Sequence, residues 1–221
     1  MLLAIDTATQ YAGIALYTGE EVLLEMTWRA GRHHTRQVPP AIDEAFRRTG
    51  TAPTDLTGVA VALGPGSFTG LRIGLSLAKG FAVACDIPIV GVPTLDVTAR
   101  PHFHGSTPLC AVLQAGRGRL AFAFYAPDES GTWQRQGDYR LGSPEDVAAL
   151  VAEPTRFVGE VTARERELWR ARLADLARFL TPALNVRRPG VLAELAWERL
   201  QAGDTDDPAT LAPIYLHVPG S

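Results

Sequence analysis

The chain has 221 residues, of which 46% are hydrophobic and 20% are charged, values ordinary for a globular protein with a buried core. The formal net charge of −3 argues against broad electrostatic binding of nucleic acid, because such binding needs a basic face. One predicted helical stretch carries five arginines interleaved with acidic residues, which favours a solvated helix face over a local basic patch: Arg164, Arg166, Arg170, Arg172 and Arg178.

The two cysteines, Cys85 and Cys110, each lie in an apolar run, which predicts buried free thiols rather than a disulfide or a metal pair. No basic stretch precedes the first apolar run, and Asp6 interrupts that run at once, so no signal peptide is expected. No apolar stretch approaches the ~18 residues that span a bilayer. We therefore expect a cytoplasmic protein with no membrane contact.

The chain opens with three β-forming segments, at residues 2–5, 11–17 and 22–28, and a hairpin turn joins the last two. Helical spacing of apolar residues then predicts a helix over residues 36–48, with Thr35 as its N-cap. Pro39 and Pro40 are expected in its first turn, where a missing amide has no helical partner anyway.

Residues 59–63 form a continuous apolar run that predicts a buried parallel strand. A glycine-rich run at residues 64–70 follows, and a helix is expected over residues 71–84. Small residues spaced four apart give this helix a flat ridge that lets another backbone approach closely, from the sheet or from a partner protein: Gly70, Gly74, Ala78 and Ala82. A strand at residues 87–92 and a helix capped by Thr94 complete the first half.

Residues 101–108, with two prolines and a glycine, predict a joint between two lobes. The element order then repeats, with strands at 109–113, 120–125, 133–141 and 156–159, helices at 144–151 (capped by Ser143), 164–180 and 191–201, and an irregular tail at 211–221. The sequence therefore predicts a duplicated α/β protein of two βββαβα lobes, residues 1–100 and 101–221, with the last helix able to pack back on the first lobe. This order is typical of the two-lobed actin-like/RNase H-like (ASKHA) fold.

In that architecture, carboxylates near the first strand of each lobe hold a metal and phosphates bind at the hairpin turns. An offset of 108 residues aligns Asp6 of the first lobe with Gln114 of the second. An amide is neither an anionic metal ligand nor a general base, so a working ATP site between lobes is disfavoured, although the backbone of residues 115–119 still offers amides to a phosphate. Asp6 itself is expected to cap the turn after its strand.

The glycine-rich run lacks the lysine of a Walker A loop, so it predicts a tight strand-to-helix turn more than an anion site. Ser67 and Thr69 within it have no base visible in the sequence, which argues against a hydrolase nucleophile. A helical metal site needs histidines four residues apart, but Val38 stands four residues beyond His34. No bound metal is therefore expected.

The run GPGSFTGLRIG at residues 64–74 resembles the signature of the bacterial TsaB family, the dimerization subunit of the tRNA threonylcarbamoyladenosine-37 modification complex. The resemblance extends over the first lobe and to residues 213–216 of the tail. Residues 114–119 read QAGRGR where the family usually shows DARRGE. The signature residues are Gly64, Pro65, Gly66, Ser67, Phe68, Thr69, Gly70, Arg72 and Gly74.

The resemblance implies a non-catalytic scaffold without a cofactor of its own. It would serve a TsaD-type subunit, which holds the metal and transfers threonylcarbamoyl to adenosine 37 of tRNAs that read ANN codons. A TsaE-type ATPase would join them, a second copy of the chain would compete for the same face, and tRNA would be met only through the complex. The alternative, from a different class, is a small ATP-dependent enzyme similar to sugar or acetate kinases. Weak nucleotide binding is compatible with the scaffold, whereas this enzyme would need a functional ATP site between the lobes.

The two first-lobe helices are predicted to form the partner surface. Their apolar residues exceed what one contact with a sheet covers, so part of the set should face outward. The residues assigned to this interface are Val38, Ala41, Ile42, Ala45, Phe46, Leu71, Leu75 and Ala78.

Overall fold

The computed structural model describes residues 1–216 and contains two five-stranded mixed sheets. The first sheet has the strand order β3-β2-β1-β4-β5. β1 pairs antiparallel with β2 and parallel with β4, so the opening three-stranded meander continues into a parallel half. Its elements are β1 (Leu2–Asp6), β2 (Tyr11–Tyr17), β3 (Val22–Arg29), α1 (His34–Thr49), β4 (Gly58–Gly64), α2 (Phe68–Cys85), β5 (Ile89–Pro93) and α3 (Thr94–Ala99).

Alternating side chains give the first sheet two buried faces, because successive residues of a strand point to opposite sides. One face, with Leu3 and Ile5 of β1, is packed against α1 and α2. The other face, with Leu2 and Ala4 of β1, packs against α6 (Pro189–Gln201). The first sheet is therefore the middle layer of three.

The second sheet has the order β10-β9-β6-β7-β8, the arrangement of the first sheet element for element. Its elements are β6 (Leu109–Gln114), β7 (Leu120–Pro127), β8 (Trp133–Gly142), α4 (Pro144–Ala149), β9 (Thr155–Gly159), α5 (Ala163–Leu173) and β10 (Ala177–Phe179). One face packs on α4 and α5 around the stacked rings of Phe157 and Trp169, whose centroids lie 4.2 Å apart. The duplicated order confirms the predicted two-lobed fold.

The chain divides into two compact units that differ from the predicted ranges. The first unit comprises residues 1–97 together with residues 188–214, and the second contains residues 98–187. Residues 188–214 were assigned to the second lobe, with the last helix able to pack back on the first. In the structure α6 does pack on the first sheet, and Glu25 of β3 holds its start there. The Glu25 carboxylate accepts from the guanidinium of Arg188 and from the Gly190 amide.

The predicted limits of α1 and α5 need correction. α1 begins at His34 with His33 as N-cap residue, so Thr35 is not the cap, and Pro39 and Pro40 lie beyond the first turn. The predicted helix over residues 164–180 ends at Leu173, since Ala174 adopts a positive φ of 46°. The chain then forms β10, which pairs parallel with β9 and completes the repeat. The last tail residues, 217–221, lie outside the described residues.

α2 is long and apolar enough to span a membrane by length and composition, with 18 residues and a mean hydropathy of 1.2. The sequence analysis expected no such segment. A third of this helix (33%) is buried inside the protein, and its buried side packs on the first sheet. Core helices of soluble proteins meet the same two criteria, so this property does not assign the helix to a membrane.

The two thiols should differ in reactivity. Cys110 is fully buried on β6, and burial raises the pKa of its thiol, whereas Cys85 at the end of α2 is partly exposed and was wrongly expected to be buried. The thiolate is the reactive form. In the native protein we therefore expect a thiol reagent to label Cys85 and leave Cys110 unmodified, with both labelled in denaturant. Fast labelling of two thiols under native conditions would contradict this packing.

Candidate partner interface

The glycine-rich run leaves β4 and enters α2 directly against the turn that follows β1. The Ser67 amide donates to the Ala8 carbonyl at 2.6 Å, and the Thr7 hydroxyl donates to the Gly70 carbonyl at 2.7 Å. The Ser67 hydroxyl accepts from the Gly70 amide at 3.3 Å and so caps α2, which begins three residues earlier than predicted.

The glycines of this run are required by that close approach. A Cβ on Gly66 would overlap the Ala8 carbonyl, and a Cβ on Gly70 or Gly74 would overlap atoms of Thr7. The small-residue ridge of α2 therefore faces the first sheet. Because protein backbone fills the space beside these glycines, the run is a tight strand-to-helix turn, as the sequence analysis favoured.

The start of the same run is held by two distant segments. The Gly64 amide donates to the Thr94 hydroxyl at 2.9 Å, and the Ile214 amide donates to the Leu63 carbonyl at 2.8 Å. Gly64 has a φ of 109°, and a Cβ there would meet the Ile214 carbonyl. Thr94 is the first residue of α3 and binds this turn. The tail motif and the signature run are thus parts of one packed structure.

The residues assigned to the partner surface mostly face the first sheet instead. Only Ala41 is partly exposed. The assignment failed because the residues with the strongest apolar spacing are the ones that the sheet itself covers, and on α1 they account for nearly all the apolar residues. The buried residues are Val38, Ile42, Ala45, Phe46, Leu71, Leu75 and Ala78.

The outward side of α2 carries an apolar surface that the sequence analysis did not single out as the contact. We call it the α2 outer face; its residues are Phe68, Thr69, Arg72, Ile73, Ser76 and Leu77. Together with Thr35 and Pro39 of α1 they line an open groove of about 460 Å³. Phe68 is 55% exposed, and the Arg72 guanidinium lies 3.9 Å from the centre of its ring.

This face has a signal in the sequence. The helical positions opposite the small-residue ridge carry Phe68, Ile73 and Val83, which a solvated helix would fill with polar residues. Val83 is 74% exposed at the far end of the helix. Large exposed apolar side chains that follow one helix face mark a protein interaction site.

Of the residues considered for chemistry, Asp6 and Gln114 make structural contacts. An Asp6 carboxylate oxygen accepts from the Ala8 amide at 2.9 Å, the capping contact expected of a strand-end residue. The Gln114 side-chain amide donates to the Glu160 carbonyl at 2.8 Å. His34 is buried while its neighbour His33 is exposed, so the two imidazoles have different surroundings. Within residues 1–216, no three His, Cys, Asp or Glu side chains are grouped as a metal-ligand set.

Two duplicated lobes with this strand order define a protein of the actin-like ATPase fold class. The profile of the family described as "TsaD: tRNA N6-adenosine threonylcarbamoyltransferase" matches residues 28–220. A Bacillus subtilis (strain 168) protein, "tRNA threonylcarbamoyladenosine biosynthesis protein TsaB", is 31% identical over 98% of this chain and 94% of its own length. The chain belongs to the TsaB family.

Two further similarities are one of sequence and one of fold. The Escherichia coli (strain K12) protein of the same name is 35% identical, and the match spans 66% of this chain and 64% of that protein, less than two thirds of its length. A solved structure, "an uncharacterized protein with similarity to peptidase YEAZ from Pseudomonas aeruginosa", superposes with a TM-score of 0.80 at 24% identity. It covers 98% of this chain and 99% of that one, and it shows the shared fold.

Two glycines of α2 provide a matched test of the packing at the signature run. Gly74→Ala should lower the free energy of unfolding by about 1–3 kcal/mol, because its Cβ overlaps the Thr7 hydroxyl. Gly80→Ala, on the same helix with nothing within 4 Å of the new Cβ, should raise it by about 0.5–1 kcal/mol. Denaturant unfolding of both variants measures the difference; equal effects would show that the ridge does not face Thr7.

Proposed function

We propose that this chain takes part in tRNA threonylcarbamoyladenosine biosynthesis as a non-catalytic scaffold that binds a TsaD-type catalytic subunit. Family membership supports the process, since the related Bacillus subtilis and Escherichia coli proteins are named for it. The observation that supports a scaffold role is the α2 outer face. It is an apolar helix surface that lines an open groove, and Phe68 at its start is 55% exposed.

The residues at the positions where the fold places catalytic groups support the absence of activity in the isolated chain. The carboxylate that would assist a metal in the second lobe is replaced by Gln114, whose amide is bound to the Glu160 backbone. Asp6 caps its own turn. Phosphoryl or acyl transfer that depends on a bound metal ion would therefore have a single carboxylate to hold the metal. One carboxylate is a poor ligand set.

The same proposal includes a second copy of the chain, a TsaE-type ATPase and tRNA as further partners. Docking of the TsaD-type subunit covers the α2 outer face, so a second copy of this chain competes for the same surface and a homodimer forms in its place. A TsaE-type ATPase joins the assembly, and tRNA is bound in the context of the complex. The work takes place in the cytoplasm.

A charge placed in the groove should abolish docking without disturbing the core. Ser76 is exposed at the centre of the α2 outer face, so Ser76→Glu puts a carboxylate among apolar side chains that the partner must desolvate. We expect at least a tenfold loss of affinity for the TsaD-type subunit by calorimetry, with an unchanged melting temperature. Ala152→Glu, at an exposed position of the second unit, is the control. Full binding by the Ser76 variant would remove the α2 outer face from the interface.

Two measurements on the purified chain distinguish the scaffold from the alternative, a small ATP-dependent enzyme. Titration with Mg-ATP should show no micromolar one-to-one site, and threonylcarbamoyl-adenylate with unmodified tRNA should give turnover only after the TsaD-type subunit is added. A stoichiometric ATP site would favour the enzyme, and transfer by the chain alone would end the scaffold proposal.

A further inference from the structure

The second unit carries a positive charge that the net charge of the chain conceals. Residues 98–187 contain 12 arginines and 10 acidic residues, although the whole chain has a formal charge of −3. Five of these arginines lie on α5 and β10, at one edge of the second sheet. The sequence analysis favoured a solvated face here because acidic residues are interleaved.

In the structure, one of those acidic residues, Glu165, does not lie on the surface. Glu165 is buried, with 6% of its surface exposed, and its carboxylate accepts from the amide and hydroxyl of Thr162 in the N-terminal cap of α5. The exposed surface of α5 therefore carries four arginines against Glu167 alone. No ion pair is formed by Arg164, Arg170, Arg172 or Arg178 within the part of the chain that the structure describes.

An aromatic ring holds two of the guanidinium groups in place. The Arg166 and Arg170 guanidiniums lie 5.3 Å and 5.4 Å from the centre of the Phe179 ring, and Arg166 also donates to the Leu180 carbonyl at 2.9 Å. Arginine is suited to phosphate because its planar fork donates two parallel hydrogen bonds. Guanidiniums already ordered by stacking lose less entropy when they bind an anion.

We propose that the α5–β10 arginine surface, with Arg166 and Arg170 beside Phe179 and Arg164 and Arg172 elsewhere on the exposed part of α5, contacts the phosphate backbone of a folded RNA. The inference rests on the proposed function, which supplies a tRNA as the substrate of the complex, and deepens it by giving this chain its own RNA contact. Arg164 and Arg172 are eight residues apart, so α5 spreads its positive charge over about 12 Å of helix. An acidic protein partner is the competing occupant, and the experiment separates the two.

The test variant is Arg164→Gln/Arg170→Gln/Arg172→Gln, which removes three exposed side chains that have no hydrogen bond to the rest of the described chain. Arg166 is left intact because it binds the Leu180 backbone. The matched control, Arg117→Gln/Arg135→Gln/Arg140→Gln, removes the same charge from other exposed positions of the same unit. A third variant with lysine at the three test positions keeps the charge and reports any loss due to folding.

Binding of an unmodified ANN-reading tRNA transcript is measured by fluorescence anisotropy between 50 and 200 mM KCl. The chain is used alone and in complex with the TsaD-type subunit. Each lost phosphate contact lowers the slope of log affinity against log salt by about 0.7–0.9, so the test variant should lose about 2–3 units of slope and bind roughly tenfold more weakly. The control should stay within about twofold of the wild type, and the lysine variant should keep the wild-type salt slope because it keeps the charge.

Three outcomes overturn the proposal. One is the same salt slope for test variant and control in both preparations. Another is the absence of tRNA binding by the chain alone, combined with no effect of the test variant in the complex. The third is unchanged RNA binding with loss of a TsaE-type ATPase from the test variant, which would assign the face to a protein. Size-exclusion chromatography measures separately whether the chain forms a complex with the TsaD-type subunit. If no complex forms, the scaffold proposal fails. The RNA contact is then still tested by tRNA binding to the isolated chain.

Discussion

The first unit depends on how closely α2 approaches the turn after β1. Gly66 and Gly70 leave room for the carbonyls of Ala8 and Thr7, and Gly74 leaves room for the Thr7 hydroxyl. Hydrogen bonds from Ser67 and Thr7 complete the contact. This approach sets the height of α2 above the sheet and fixes its rotation about its own axis. With the small-residue ridge packed on the sheet, the opposite side of α2, with Phe68, Arg72 and Ser76, turns outward. The packing constraint thereby creates the exposed surface on which the proposed docking relies.

Regular periodicity made most of the fold predictable from the sequence. Strands β1, β2 and β3 were placed within a residue of their observed limits because alternation and continuous apolar runs have few other solutions. The three-residue strand β10 was missed, since so short a segment has no measurable period and its Ala177 and Arg178 suit a helix. α1 was given the wrong cap because Thr35 is a good capping residue by type, while the helix begins two residues earlier than predicted, at His34.

The site was predictable only in part, for a physical reason. Apolar spacing identifies the stripe that is buried, and for α1 and α2 that stripe belongs to the protein's own sheet. The outward residues of α2 are fewer and interrupted by Arg72 and Ser76, so they give a weaker pattern than the core residues beside them. The arginines of α5 show the opposite case. Their charges were read correctly from the sequence, but the role of Glu165 in the helix cap was overlooked, although Thr162 and Glu165 have the spacing of a capping box.

The discontinuity of the first unit has a consequence for synthesis on the ribosome. Residues 1–97 form the whole first sheet, yet the helix that covers one face of it lies about a hundred residues later in the chain. While the intervening unit is being translated, Leu2, Ala4 and their neighbours on that face have no native cover. Domains generally fold as units in order of their emergence, and uncovered sheet faces are prone to aggregate. Here the second unit, residues 98–187, can form its native contacts before the first unit does. The open face of the first sheet is covered only when residues 189–201 have left the ribosome.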